Sequence, residues 1–329
     1  MGQRRHWTPL WLAHRPGRRG LGVWLALCVA WVAMASLPAL AACGGQVRLT
    51  QPVEFSAQEL AESATSSWRI FDCRFRLADP AAGKYAYAEG HLPGAMFLDL
   101  EEDLSGPVSG LNGRHPLPDP QHLAAKLGSL GVGPDTQVVA YDDMGGMFAA
   151  RLWWLLRWLG HTRVAVLDGG LQAWASSGKP IDTAIPEPVA CHFEAQLQRD
   201  MKVNADYVLS HLDDPEVLII DARAPDRFRG ENETLDPVGG HIPGAINRFF
   251  QDNLDASGCF KQAALLQEEF GKLIKGGDAH KVVAQCGSGV TACHNLLAME
   301  AAGLDGARLY AGSWSEWCAD PARPIATGP

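Results

Sequence analysis

The feature that most constrains this chain is that it states one pattern twice. Ile70-Phe71-Asp72-Cys73-Arg74 is followed by Gly90-His91-Leu92-Pro93-Gly94-Ala95, and Ile219-Ile220-Asp221-Ala222-Arg223 by Gly240-His241-Ile242-Pro243-Gly244-Ala245. Further on, Val138-Val139-Ala140-Tyr141 matches Val282-Val283-Ala284-Gln285, and Asp168-Gly169-Gly170-Leu171-Gln172-Ala173-Trp174 matches Ala311-Gly312-Ser313-Trp314-Ser315-Glu316-Trp317. Four matches in one order mark a duplicated unit. The 329 residues therefore divide into two domains, each long enough for its own core. Within each half, short β-branched runs such as Val138-Val139-Ala140, Val164-Ala165-Val166-Leu167, 217–220 and 281–284 predict buried strands. Helical stretches, 148–159 and 292–302, lie between them. Trp153, Trp154 and Trp158 fall at helical spacing and predict a core stripe rather than a ligand cage. The alternation predicts an α/β fold of two tandem domains, each a mainly parallel sheet flanked by helices. The first is expected over 50–178 and the second over 197–322. The linker between them, 179–196, holds Pro180, Pro186 and Pro188 and no periodicity.

Charge narrows the partners. The net charge is −9, and no basic run lies beyond the N-terminus, so a nucleic-acid backbone is not an expected ligand. Residues 1–42 carry Arg4, Arg5, Arg15, Arg18 and Arg19, then an uncharged apolar stretch from Leu21 to Ser36, then small residues up to Cys43. That order predicts a secretory signal peptide over 1–42 and an exported protein, placed in the periplasm of a bacterium. Two cuts compete: one after Ala41, and one at Leu40-Ala41-Ala42-Cys43, a lipobox-like end that would put a lipid on Cys43. The membrane is expected to matter only through this signal or that anchor. Eight cysteines are too few for a disulfide scaffold.

The chemistry is expected where the second half runs from Val282-Val283-Ala284-Gln285 into Cys286-Gly287-Ser288-Gly289-Val290-Thr291-Ala292. A residue at the C-terminal end of a parallel strand sits where open α/β sheets place their sites. Glycines let the backbone curl so that its N–H groups form an anion-binding nest at the helix start, which favours a thiolate. Cys286 is thus a candidate nucleophile. A Cys-x5-Arg phosphatase loop would need Arg where Ala292 stands. A peptidase base at His294 would sit a helical turn past the thiol. Zinc on Cys286, Cys293 and His294 lacks a second ligand pair, and no metal is expected.

These residues resemble a known family. The loop Cys286-Gly287-Ser288-Gly289-Val290-Thr291-Ala292 resembles the active loop of 3-mercaptopyruvate sulfurtransferases. The paired Asp-x-Arg and Gly-His-x-Pro-Gly-Ala halves resemble tandem rhodanese-like domains across roughly residues 50–320. The resemblance implies that Cys286 takes up sulfane sulfur as a persulfide and passes it to a thiol, cyanide or thioredoxin-like acceptor, without a cofactor. It implies Arg227 as the substrate-anion clamp, with the Gly287, Gly289, Val290 and Thr291 backbone around the bound donor. Ser288 would relay a proton with His91 and Asp79, both from the first domain, which sets the site at the domain interface. The first domain, with Asp142 and Asp143 where the second has its cysteine, would be the degenerate copy. One departure stands out: such enzymes often carry a second substrate Arg nine residues after the first, and here that position is Asp236. Thiosulfate as donor, or a non-catalytic exported sulfur carrier or redox-partner module, are the alternatives.

Overall fold

The computed structural model of the chain describes residues 57–63 and 68–329, so the expected signal segment and Cys43 lie outside the described residues. The first half runs α1 (Ala57–Ser63), β1 (Trp68–Asp72), α2 (Ala82–Glu89), β2 (Ala95–Phe97), α3 (Pro120–Ser129), β3 (Gln137–Tyr141), α4 (Ala149–Trp158), β4 (Val164–Val166) and α5 (Gly170–Ser176). The second runs β5 (Lys202–Val203), α6 (Ala205–Ser210), β6 (Leu218–Asp221), α7 (Pro225–Arg229), β7 (Ile246–Asn247), α8 (Ala263–Leu273), β8 (Val282–Gln285), α9 (Thr291–Ala301), β9 (Arg308–Tyr310) and α10 (Ser313–Trp317). All described pairings between these strands are parallel, in the orders β2-β1-β3-β4 and β5-β9-β8-β6-β7. The apolar runs read from the sequence fall at the centre: β3 and β8 are buried at every residue, as strands covered on both faces must be.

The duplicated residues perform the same structural task in each half. Asp72 ends β1 and takes the Arg74 guanidinium at 2.6–3.0 Å, while Arg74 Nη2 donates to Gly90 O at 2.7 Å. Asp221 ends β6 and takes Arg223 at 2.7–3.1 Å, and Arg223 Nη2 donates to Gly240 O, again at 2.7 Å. Each Asp–Arg pair pins the end of its central strand to the Gly-His turn. Residues 179–198 form no helix or extended strand. They are bound back along the first half through Asp182 with His91, Cys191 N to Gly128 O and Gln196 N to Leu159 O.

The Trp-rich helix is core. In α4, Trp153 and Trp154 are each 1% exposed, and the helix packs against α9 of the second half, with Arg157 reaching Glu300 at 3.0 Å. This contact brings the loop after β3 and the loop after β8 to one seam.

Candidate active site

Cys286 follows β8 directly and is 2% exposed, yet its side chain lines a cavity of about 60 Å³. That is room for on the order of four waters or the reactive end of a small molecule. The loop holds the sulfur through the backbone. Gly289 N donates to Cys286 Sγ at 3.1 Å, and Cys286 N donates to Ser313 Oγ at 3.1 Å. The carbonyls of Cys286 and Gly287 accept from Trp314 N and Ser315 N at 3.0 and 2.9 Å. Gly289 sits at φ +75°, and a Cβ there would come within 2.3 Å of Ala311 O, so the turn requires glycine. Ser313, which takes the Cys286 backbone N–H, is itself left-handed at φ 55°.

The cavity wall comes from both halves. Leu77, Leu100, Met147, Phe148, Arg114 and His115 of the first half face Arg227, Leu235, Cys286, Gly287, Ser288, Val290 and Thr291 of the second. His115 Nδ1 lies 2.7 Å from Ser288 Oγ. Burial, reinforced by Arg151 and Arg114, pushes the His115 ring down to about 3. The ring is therefore neutral at ordinary pH, with one nitrogen free of a proton. A larger hollow of about 450 Å³, lined by Trp153, Trp154, Arg157 and His280 among others, contains no cysteine or serine. Size does not mark the site here.

Two of the expected relay residues lie elsewhere. The ring of His91 is buried, bonded at 2.8 Å to Tyr87 O and at 3.1 Å to Ala184 O, and stacked on Tyr87. Its repeat partner His241 does the same against Phe228. Both histidines also bridge through their backbones to the segment that follows their own domain, His91 to Asp182 and His241 to Ala326. His91 is a turn residue of the fold. Asp79 is exposed and its carboxylate accepts from Ala81 N in a turn. The partner of Ser288 is His115 instead. It sits in Asn112-Gly113-Arg114-His115-Pro116, and the signal that marks it is non-repetition: residues 248–262 of the second half contain no histidine.

The arginines are shared in the same way. Arg227 lines the cavity as expected, with its guanidinium on Glu233 at 2.8–3.1 Å and Asp236 at 3.3 Å. Asp236, expected to subtract a cation, is the buried anchor for two. It also pairs with Arg114 of the first half, whose guanidinium lies against Gly287, where a Cβ would approach Nη2 within 2.9 Å. His294 points away from the thiol: it bonds to Gly145 O at 3.0 Å, stacks on Phe260, and is pushed down to about 4 by burial. Cys293 donates its S–H to Gly289 O at 3.3 Å, and burial pushes it up to about 12. Among the described residues no cluster of His, Cys, Asp or Glu is arranged to hold a metal.

In the first half the equivalent nest is filled from within. Asp142 follows β3 as Cys286 follows β8, and its two oxygens accept from the N–H groups of Met144, Gly146, Phe148 and Ala149 at 2.7–2.9 Å. Burial lifts this carboxyl and the four donors pull against that lift. The N–H donors are thus taken by a carboxylate of the loop itself.

A model of the rhodanese-like domain matches the chain twice, over residues 56–177 and 204–320. The chain belongs to the rhodanese family. A protein named as a probable 3-mercaptopyruvate sulfurtransferase from Pseudomonas aeruginosa is 49% identical, over 83% of this chain and 97% of its own. A putative thiosulfate sulfurtransferase from Mycobacterium tuberculosis is 40% identical, over 86% and 98%. Among solved structures, the 3-mercaptopyruvate enzyme SseA from Escherichia coli superposes with a TM-score of 0.69 at 32% identity, covering 79% of this chain and 98% of that one. This rhodanese chain is a sulfurtransferase of tandem architecture, an enzyme that transfers sulfur-containing groups.

Proposed function

We propose that this sulfurtransferase takes sulfane sulfur from 3-mercaptopyruvate, holds it as a persulfide on Cys286, and gives it to a thiophilic acceptor: a small thiol, cyanide or a thioredoxin-like protein. The observation that carries the choice of donor is the Ser288 Oγ–His115 Nδ1 contact of 2.7 Å beside the thiol. The Cys286 thiolate attacks the donor sulfur, a S–S bond forms, and the C–S bond breaks with its electron pair left on the enolate of pyruvate. The proton on the donor sulfur must leave and the enolate carbon must gain one. A neutral imidazole joined to a hydroxyl can do both. Thiosulfate requires neither, because sulfite departs as a stable anion with no proton transfer. Arg227 and Arg114 line the same cavity as the thiol, where they can pair with the donor carboxylate. The acceptor thiolate then attacks the outer sulfur and returns Cys286 as thiolate.

Thiosulfate is the second reading, favoured by the named activity of the M. tuberculosis relative and by the two cavity arginines. Turnover with each donor separates the two. Cys286→Ser is expected to abolish transfer from both donors and to leave the protein without a sulfur adduct on that peptide after incubation with donor. Ser288→Ala and His115→Asn should lower turnover of 3-mercaptopyruvate by about 10²-fold while changing thiosulfate turnover by less than about threefold. An equal loss with both donors would remove the proton-relay assignment. Export to a bacterial periplasm, with cleavage before or at Cys43, belongs to the same proposal. It rests on the composition of residues 1–42, and the mass of the exported N-terminal peptide tests it.

A further inference from the structure

The two arginines of the cavity are matched by carboxylates buried more deeply than they are. Arg114, from the first half, and Arg227, from the second, line the cavity with side chains 28% and 19% exposed, whereas Asp236 and Glu233, their partners, are 3% and 4% exposed. Asp236 divides its two oxygens between the halves. Oδ1 accepts from Arg114 Nη1, and Oδ2 accepts from Arg227 Nη2 at 3.3 Å. Glu233 takes the same Arg227 at 2.8–3.1 Å. It also fixes where Asp236 stands, because its Oε1 accepts from Leu235 N and Asp236 N at 2.9 and 3.1 Å. Both guanidinium groups converge on one point of the thiol loop. A Cβ on Gly287 would lie 2.9 Å from Arg114 Nη2, and 3.6 and 3.7 Å from Arg227 Nη1 and Nη2. Two cations this close repel unless an anion joins them, and Asp236 is that anion. Arg223 is closed on Asp221 at 2.7 Å and lies 3.6 Å from Glu233. The frame beside Cys286 thus holds three arginines and three carboxylates, and carries no net charge.

We propose that Asp236 sets which sulfur donor the site accepts, as a positioning residue that acts through Arg114 and Arg227. It holds the two guanidinium groups together at Gly287 and cancels one of their charges. A donor anchored by a single carboxylate, as an α-keto acid is, adds one negative charge to this neutral frame. A compact dianion such as thiosulfate adds two, and the second has nothing to offset it. The same two arginines without Asp236 would suit the dianion. The electrostatic energy of a bound anion scales with its charge, so a change in the charge of the frame weighs about twice as much on thiosulfate as on a monocarboxylate. The inference rests on the reading that the donor binds against these arginines, within reach of Cys286.

The test measures kcat/KM for thiosulfate and for 3-mercaptopyruvate on the full chain and reads the ratio of the first to the second. Asp236→Asn, which adds one positive charge to the frame, should raise that ratio at least about tenfold. Arg114→Gln, which removes one, should lower it by about the same factor. The double variant restores the charge count and should return the ratio to within about threefold of the parent. Loss of a merely structural contact would not move the ratio in opposite directions. An unchanged or lowered ratio in folded Asp236→Asn overturns the proposal. So does an unchanged or raised ratio in Arg114→Gln, which decides alone if the asparagine variant does not fold. A double variant that keeps the ratio of Asp236→Asn overturns it as well. A second readout needs no turnover: protection of Cys286 from iodoacetamide by sulfate and by pyruvate. Asp236→Asn should strengthen protection by sulfate at least about threefold more than protection by pyruvate, and equal changes refute the charge account. If the parent turned over no 3-mercaptopyruvate, the assigned donor would fail, while the two protectants would still report the charge selectivity of the frame.

Discussion

His115 is kept neutral by burial and by two neighbouring guanidinium groups, which sets how its pair with Ser288 responds to acid. The folded value, about 3, lies far below the ordinary imidazole value, so the unprotonated ring persists throughout the physiological range. The ratio of parental to His115→Asn turnover is therefore expected to stay constant from pH 8 down to pH 5. A ratio that collapses below pH 6.5 would mean that the ring takes up a proton there, against this account. At this scale the sequence was an uneven guide. Cys286 was legible as a candidate because a strand end and glycines fix where it sits, whereas Ser288 and Arg227 came from the family resemblance; all three line one cavity. His91 misled because a duplicated histidine serves a duplicated turn. His115 stands in an irregular loop where neither periodicity nor spacing points to a partner 173 residues away. Arg114 escaped notice for the same reason, and its ion pair with Asp236 turned an apparent loss of charge into an exchange between halves.

Among the elements, the turn between β8 and α9 depends on one backbone conformation. Gly289→Ala must hold a left-handed residue, at about 1–2 kcal/mol, and must also push a methyl into Ala311 O. A destabilisation of about 3 kcal/mol in urea unfolding and a severe loss of turnover are expected. Gly258→Ala is the matched comparison, since it too sits at positive φ, +82°, but with nothing within 4 Å of the added carbon. It should cost about 1 kcal/mol and leave turnover unchanged, and equal losses in the two variants would disprove the steric account. The strands and helices that carry this turn were readable from apolar runs and helical spacing. The two-residue strands β5 and β7 were not, because so short a segment has no period. Ser313 was hidden as well: its match in the first half is Gly170, which gives no hint of a hydroxyl that takes the Cys286 backbone N–H.

For the whole molecule, the duplication and the parallel architecture follow from the repeated strand ends. The seam between the halves does not, since its contacts join residues that no repeat relates. Asp168 is one of them. It accepts from Phe260 N of the other half at 2.8 Å, and burial lifts its carboxyl to about 7. A carboxyl with a raised folded value stabilises fully below its unfolded value of 3.8, and that contribution is lost as pH rises through about 7. Thermal stability should thus decline from pH 5 to pH 8 by more in the parent than in Asp168→Asn, which keeps the acceptor for Phe260 N without a charge. Identical slopes in the two proteins would show that this carboxyl is not coupled to folding.

Asp142 carries a last consequence. By seating its own carboxylate among the N–H groups after β3, the first repeat leaves them no anion to bind, and it lends Arg114, His115 and Arg151 across the seam. A gene encoding only the second repeat would keep the Cys286 thiol but forfeit every borrowed group around it. Such a fragment should carry sulfur, if at all, without discriminating among donors.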